Sequence, residues 1–155
     1  MANGFAPSQE AMGKTRIGRF QPRSGAKALV TSDRAVLVVQ ERHADGTPFW
    51  TLPGGGVHTH ECPTEGLRRE LAEELDCRAR IDEPVSTFWY AHDSLDATVS
   101  VYGVYDCSLL TEPVPNYDEG VFDARWVEPD ELPPATLPQV RYLCQDAVAP
   151  ALAGD

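Results

Sequence analysis

Three glutamates that follow a glycine-rich turn are the residues best suited to chemistry in this 155-residue chain. At about 100° per residue, Glu70, Glu73 and Glu74 share one stripe of a helix, beside a ridge of leucines that recur every four residues. Like charges at this spacing destabilise an isolated helix by about 0.2–0.5 kcal/mol per pair. A hard divalent cation, Mg²⁺ or Mn²⁺, prefers carboxylate and carbonyl oxygens and would offset this repulsion. The stripe therefore predicts a metal site.

The same charges have an ordinary structural interpretation. Glu65 precedes Arg69 by four residues and Glu73 follows it by four, so ion pairs on a solvated helix face would also account for them. The glycines at 54–56 favour the metal interpretation, because a backbone without side chains lets carbonyls and amides approach a ligand closely. The turn and the acidic stripe would then converge on one site for metal and phosphate.

A competing metal site lies in the loop between the turn and the helix. His58, His60 and Cys62 alternate along the chain, so an extended loop would point all three toward zinc or another soft metal. Such closely spaced ligands seldom suffice without a distant fourth. Cys77, at the other end of the helix, would have to supply it.

The elements that must position these residues are indicated by hydrophobic periodicity and turn signals. Two runs, AKALVTS and AVLVVQER, predict a hairpin, and the segment from Pro63 to about Asp76 predicts a helix. RARIDEPVSTFWYAH and ATVSVYGVYDCSLL, separated by the turn DSLD, predict a second antiparallel pair. VFDARWV predicts a strand, and PQVRYLCQDAVAPALA a closing helix that breaks or ends near Pro150. Together they predict an α/β sandwich with a mixed sheet.

Length and composition predict one ordinary folded domain. The chain is 42% hydrophobic and 24% charged, which excludes a disordered or fibrous protein. Residues 1–25 contain four basic residues and one acidic residue among glycines, prolines and serines, and we expect a partly ordered arm there. Residues 26–155 would form the domain. The four cysteines include no CxxC pair, so free thiols in a reducing compartment are expected.

The charge balance excludes several classes of partner. The chain has 24 acidic and 13 basic residues, a net charge of −11, so a nucleic-acid partner is not expected. No apolar run approaches the ~18 residues of a membrane span or forms a signal segment, so we expect no membrane partner and a cytoplasmic location. The acidity also suggests a halophilic protein, a hypothesis that full activity in dilute buffer, with no gain in molar potassium chloride, would contradict.

The turn and the acidic stripe together resemble the Nudix box, G-x5-E-x7-R-E-U-x-E-E-x-G-U, where U is a bulky aliphatic residue. Seven of its nine defined positions match, through Gly55, Glu61, Arg69, Glu70, Leu71, Glu73 and Glu74. Asp76 replaces the glycine that ends the helix, and Cys77 replaces an aliphatic residue. The flanking runs WTLPGG and ARWVEPDEL are also similar to this family. The resemblance implies the Nudix-type, MutT-like α/β/α sandwich.

The resemblance also implies a reaction, the Mg²⁺-dependent hydrolysis of the pyrophosphate bond in a nucleoside diphosphate linked to another moiety. Nucleoside triphosphates and nucleotide sugars are substrates of this type. The implied catalytic residues are Glu61, Arg69, Glu70, Glu73 and Glu74. The three helix glutamates and the Gly55 carbonyl would bind Mg²⁺ or Mn²⁺, Glu61 would join them directly or through water, and Arg69 would orient the carboxylates. A Nudix-like module that senses a nucleotide without cleaving it is the alternative, and a homodimer is a further hypothesis.

Residues that contact the substrate are indicated only by their type and place. Arg42 ends a strand near the loop side and could bind phosphate, and Tyr90 could stack on a base. Glu119 belongs to a later acidic loop, whose carboxylates compete with Glu70 and Glu74 as candidates for the general base. Trp50 and Trp126 are expected in the core rather than at the substrate.

Overall fold

A computed structural model of the chain describes residues 22–92 and 98–153, and for 147–153 the backbone alone. Its elements are β1 Arg23–Ser32, β2 Ala35–Arg42, β3 Pro48–Thr51, β4 Gly54–Gly56, α1 Pro63–Leu75, β5 Ala79–Ala91, β6 Val99–Leu109, β7 Asp123–Val127 and α2 Pro138–Ala153, with 3₁₀ turns at Tyr117–Glu119 and Pro129–Glu131. The turn predicted at DSLD and the predicted arm up to residue 21 lie outside the described residues. Strand β1 begins at Arg23, inside the segment assigned to the arm.

Strand β1 lies at the centre of a seven-stranded mixed sheet of order β3-β2-β1-β6-β5, with β4 paired to β1 and β7 to β2. β1 runs parallel to β6 along Arg23–Val30. On its other edge it pairs antiparallel with β4 at Gly25–Lys27, and with β2 only at Thr31 and Ser32. The sheet therefore opens between β1 and β2, and the glycine strand β4 lies in that opening.

The two helices pack against two separate clusters of buried residues. The leucines of α1 pack with Ala26, Ala28 and Val30 of β1, whereas α2 packs in a cluster that contains Leu29 and Val36. Because neighbouring strand residues point to opposite faces, the helices cover opposite faces of the sheet. The predicted α/β/α sandwich with a mixed sheet is therefore confirmed. No helix in the described part of the chain is long and apolar enough to cross a membrane.

Helix α1 is held at both ends by specific contacts. At its start, the Cys62 amide donates to the Glu65 carboxylate at 3.0 Å, so Glu65 caps the helix. At its end, Asp76 adopts the left-handed conformation at φ 48°. The amide of Asn116 donates to the Glu74 carbonyl at 2.8 Å, and its side chain donates to the Glu73 carbonyl at 2.9 Å. The loop before Tyr117 thus satisfies carbonyls that the helix itself leaves without partners.

The structure differs from the sequence-based expectations at Pro150 and at Trp126. The sequence predicted that helix α2 breaks or ends near Pro150; the helix passes through Pro150 without a break, and its described residues end at Ala153. Pro150 has no amide to donate to the carbonyl of Asp146 four residues earlier, so the helix loses one backbone hydrogen bond there and still continues for its last turn. Trp50 is buried, as expected, but Trp126 on β7, which was expected in the core, is 41% exposed.

Replacing Asp76 by glycine should stabilise the protein. Asp76 is a non-glycine residue at positive φ, and glycine removes the steric cost of its Cβ, so we expect the free energy of unfolding to rise by about 0.5–1 kcal/mol. Urea denaturation measures this change. Ala72→Gly, at an exposed position inside the same helix, is the matched control and should destabilise by about 1 kcal/mol. Equal destabilisation by both variants would contradict the proposed steric cost of the Asp76 Cβ.

Candidate active site

Both polar groups of the Gly54 backbone are bonded to ionisable side chains. Its amide donates to Oε1 of Glu74 at 3.1 Å, and its carbonyl accepts from Nζ of Lys27 at 2.9 Å. Gly54 has φ +127°, and a Cβ there would overlap the Ala26 carbonyl oxygen. Only glycine fits this position, because the residue is both strained for a side chain and packed on β1.

The next residue, Gly55, lies directly against the carboxylate of Glu70. A Cβ at Gly55 would be 2.6 Å from Oε1 of Glu70. The Glu70 side chain is 15% exposed, so its carboxylate lies close to the backbone of the turn and still contacts solvent. The predicted approach of the glycine turn to the acidic stripe is therefore present at these two residues.

Arg69 is bonded to three of the predicted site carboxylates. It forms a bidentate pair with Glu61, at 2.7 Å from Nε and 3.0 Å from Nη2. Nη1 donates to Glu70 at 2.9 Å and to Glu73 at 3.3 Å. Nη2 also donates to the Gly56 carbonyl at 2.9 Å. One planar guanidinium thus ties the loop carboxylate, two helix carboxylates and the turn together.

The contact with Arg69 also governs the ionisation of Glu61. The guanidinium hydrogen bonds, followed by the 2.8 Å hydrogen bond from the His58 amide, lower the pKa of Glu61 to about 2. The Glu61 carboxylate is therefore charged throughout the physiological range and holds Arg69 in place. The ion pair that the sequence allowed between Arg69 and Glu73 is present, whereas Glu65 is engaged at the helix start.

Glu74 has a different environment from the other carboxylates. The residue is 7% exposed, and burial raises the pKa of its carboxyl to about 8, against the opposing effect of Lys27. Its contact is the Gly54 amide rather than Arg69. Glu74 therefore does not share the Arg69 hydrogen bonds that join Glu61, Glu70 and Glu73.

The described side chains do not by themselves form either of the two metal sites predicted from the sequence. Within 22–92 and 98–153, no three His, Cys, Asp or Glu side chains are placed together to hold a metal ion. In the alternative zinc site, the Cys62 thiol lies 3.4 Å from the Thr64 hydroxyl, and Cys77 is buried beyond the far end of the helix. The assignment of Glu70, Glu73 and Glu74 to one ion stays a prediction.

The donors around the turn nevertheless fit a hard divalent cation. Glu70 and Glu74 are carboxylates that contact adjacent glycines, and the Gly55 backbone offers no side chain to obstruct a ligand. Burial of Glu74 without a nearby divalent charge disfavours its ionised form, so a cation there would favour ionisation. Glu70, Glu74 and the Gly55 carbonyl are the groups that would hold it.

A cleft of about 220 Å³ lies beside the turn and contains two of the three predicted substrate residues. Arg42 and Tyr90 both line it, and the Arg42 guanidinium lies 4.1 Å from the centre of the Phe122 ring. Glu119 does not line it and belongs to an exposed 3₁₀ turn. Lys27 and Glu41 also line the cleft, although no motif in the sequence marks them as site residues.

Aromatic rings form one wall of this cleft. His43 stacks on Phe49 with ring centres 4.3 Å apart, and Nδ1 of His43 lies 3.3 Å from the hydroxyl of Tyr90. The ring of Tyr90 meets His92 edge to face at 4.7 Å. Burial and the nearby cations lower the pKa of His92, whose Nε2 lies 2.7 Å from the Ser100 hydroxyl. Flat rings with polar edges suit a planar heterocycle.

The chain belongs to the Nudix family of hydrolases, because the NUDIX domain model matches residues 21–145. It is 32% identical to nucleoside triphosphatase NudI of Escherichia coli over 114 residues, covering 67% of this chain and 80% of that protein. The MutT NUDIX hydrolase of Burkholderia pseudomallei has 25% identity and a TM-score of 0.71, over 81% of this chain and 97% of that one. A UDP-X diphosphatase, at 20% identity and a TM-score of 0.66 over 92% and 72%, shares the fold.

The predicted family and enzyme class are thereby confirmed. Nudix hydrolases cleave pyrophosphate bonds in small nucleotide substrates, generally with divalent metal ions. The individual site residues stay predictions, and the two experiments below test them.

Replacing Gly55 by alanine should displace Glu70 and slow the reaction. The new methyl group would lie 2.6 Å from Oε1 of Glu70, at the movable end of a side chain. We therefore expect kcat to fall at least about tenfold, equivalent to about 1.4 kcal/mol, with little loss of folding stability. Gly103→Ala is the matched control, because its nearest contact would be an ordinary 3.5 Å. Equal rates for both variants would contradict a role for the Gly55–Glu70 contact.

Replacing Glu74 by glutamine should change how stability depends on pH. The pKa of Glu74 is raised from 4.5 to about 8 in the folded chain, so the folded state binds more protons than the unfolded state between these values. Stability from this group is present below pH 4.5 and is lost as pH rises toward 8. In EDTA, Glu74→Gln should therefore gain stability relative to the wild type as pH rises from 5 to 9. Exposed Glu83→Gln is the control, and a constant difference for Glu74→Gln would contradict the prediction.

Proposed function

We propose that the chain uses Mg²⁺ or Mn²⁺ to hydrolyse the pyrophosphate bond of a nucleoside diphosphate linked to another moiety. The observation that carries this proposal is the junction of the aromatic cleft with the glycine turn. Lys27 lines the cleft and its ammonium is bonded to the Gly54 carbonyl at 2.9 Å. A nucleoside bound among the rings could extend its phosphates past Lys27 toward the glycine turn, on whose other side Glu70 lies.

The chemistry divides among residues with different environments. When bound, a divalent cation neutralises phosphate oxygens and lowers the pKa of water. Arg69 keeps Glu61, Glu70 and Glu73 in fixed orientations through its hydrogen bonds. Glu74 is closed to solvent by its contact with Gly54. We assign proton acceptance from the attacking water to Glu70, because it is the carboxylate at the turn that also contacts solvent.

The substrate contacts follow from the composition of the cleft. Arg42 presents a guanidinium that can bind phosphate oxygens in pairs, and Tyr90 contributes to the ring wall that would contact the base. Glu119 remains a candidate only through its place on the loop that Asn116 ties to α1. The resemblance to a nucleoside triphosphatase supports a nucleoside triphosphate. A nucleotide sugar is the second candidate, supported by the fold shared with a UDP-X diphosphatase.

Other proposals concern the state of the protein rather than its chemistry. Family membership favours an enzyme over a module that only senses nucleotides. The homodimer, the cytoplasmic location and adaptation to high salt stay hypotheses. Light scattering on the purified protein would test the homodimer, and activity in dilute buffer compared with molar potassium chloride would test adaptation to salt.

A substrate panel tests the proposed reaction. We expect nucleoside triphosphates or nucleotide sugars to give a nucleoside monophosphate and a phosphorylated remainder with Mg²⁺ or Mn²⁺, and no turnover in EDTA. Glu70→Gln, Glu73→Gln and Glu74→Gln should each lower kcat by about 10²-fold or more. Exposed Glu83→Gln is the matched control and should keep the wild-type rate. Tight binding without product would favour the sensing module, and unchanged turnover in the Glu73 and Glu74 variants would refute the assigned site.

A further inference from the structure

Lys27 is a buried charged residue in the central strand of the sheet. The residue is 4% exposed, whereas lysine is almost never buried without partners. It lies on the same face of β1 as Leu29, opposite the alanines that pack on α1. A hydrophobic residue would be the ordinary choice at such a position, so the ammonium calls for a specific explanation.

The surroundings of the ammonium come from four different elements. Nζ donates to the Gly54 carbonyl of β4 at 2.9 Å and lies 4.0 Å from Oε2 of Glu41 on β2. It also lies 4.8 Å from the ring centre of Tyr102 on β6. Burial disfavours its charge, but Glu41, Tyr102 and the α1 carboxylates outweigh this effect and raise the pKa of Lys27. The residue is therefore a stable cation inside the opening between β1 and β2.

The Lys27 hydrogen bond to the Gly54 carbonyl acts on the peptide group that joins Gly54 to Gly55. The Gly54 carbonyl and the Gly55 amide belong to one rigid plane. Lys27 bonds the carbonyl oxygen of this plane, whereas Glu74 bonds the Gly54 amide, which belongs to the preceding Pro53–Gly54 plane. The two contacts hold the peptide planes on either side of the Gly54 Cα, and Lys27 is the side chain that restrains the plane leading into Gly55, where Glu70 packs.

We propose that Lys27 is a positioning residue, whose buried ammonium orients the Gly54–Gly55 peptide and thereby sets the geometry of metal binding at Gly55 and Glu70. The ammonium is buried and donates to the Gly54 carbonyl. These two features distinguish a positioning role from direct binding of substrate phosphates. The proposal rests on the proposed hydrolysis only for its kinetic readout. Metal binding and hydrogen exchange of the free protein test it independently.

The test compares Lys27→Met with Lys27→Arg. Methionine keeps an unbranched side chain but removes the charge and the donor, whereas arginine keeps both and extends into the cleft. For Lys27→Met we expect at least a tenfold rise in the Mn²⁺ dissociation constant, measured by calorimetry without substrate. We also expect at least tenfold faster hydrogen exchange at the Gly54–Gly56 amides, and a lower kcat with substrate KM within twofold. Lys27→Arg should recover Mn²⁺ binding to within about threefold of the wild type.

Controls separate this role from a general loss of stability. Val30→Ala removes buried volume from the same strand, away from Gly54, and should leave Mn²⁺ affinity and exchange at 54–56 unchanged. Wild-type Mn²⁺ affinity in Lys27→Met, equal impairment of Lys27→Met and Lys27→Arg, or a change in KM alone would overturn the proposal. If Lys27→Met does not fold, Lys27→Gln replaces it, and wild-type Mn²⁺ affinity in that variant would overturn the proposal equally. An inactive wild type with these metal-binding and exchange changes would refute the proposed function but not the role of Lys27.

Discussion

The close approach of Gly54 to strand β1 is the constraint on which the rest of the site depends. A side chain at this position would overlap the Ala26 carbonyl oxygen, so glycine alone allows β4 to pair with β1. At this separation the Gly54 amide reaches Glu74 and its carbonyl reaches Lys27. Helix α1 and the sheet are therefore joined at one residue by ionisable groups, in addition to the packing of the leucine ridge.

The opening of the sheet between β1 and β2 explains how these groups can be buried. The two strands pair only at Thr31 and Ser32, so the rest of that edge of β1 is available to β4. Small residues at Ala26 and Ala28 let α1 pack closely on one face. The Lys27 side chain extends from the other face of β1, and its ammonium donates to the Gly54 carbonyl of β4, which lies in the opening. The same arrangement places the cleft and the acidic helix on the two sides of one backbone turn.

Most of the site could be predicted from local spacing, whereas its long-range contacts could not. The periodicity of the sequence predicted that the leucine ridge and the carboxylates lie on α1. Pro63 correctly indicated where this helix begins. Lys27 interrupts a hydrophobic strand, and a lysine at such a position would ordinarily be expected at an exposed edge. Its burial follows from the opening between β1 and β2, which no local pattern indicates. The caps that Asn116 provides to α1 span more than 40 residues of sequence and leave no local pattern. The exposure of Trp126 likewise has no local signal in the sequence.

Electrostatics connects this geometry to the need for a cation. Among the described residues around the turn, the carboxylates of Glu41, Glu61, Glu70, Glu73 and Glu74 lie near the buried Lys27 and the half-buried Arg69. Arg69 already shares one charge among three carboxylates. A polyphosphate approaching from the cleft would meet a negative field in a chain whose net charge is −11. Arg42 in the cleft and the exposed Arg23 beside Gly56 and Glu70 offset part of this field, and a bound cation would offset more of it. A divalent ion would supply that charge, and the carboxylate oxygens at this turn are ligands that such an ion prefers.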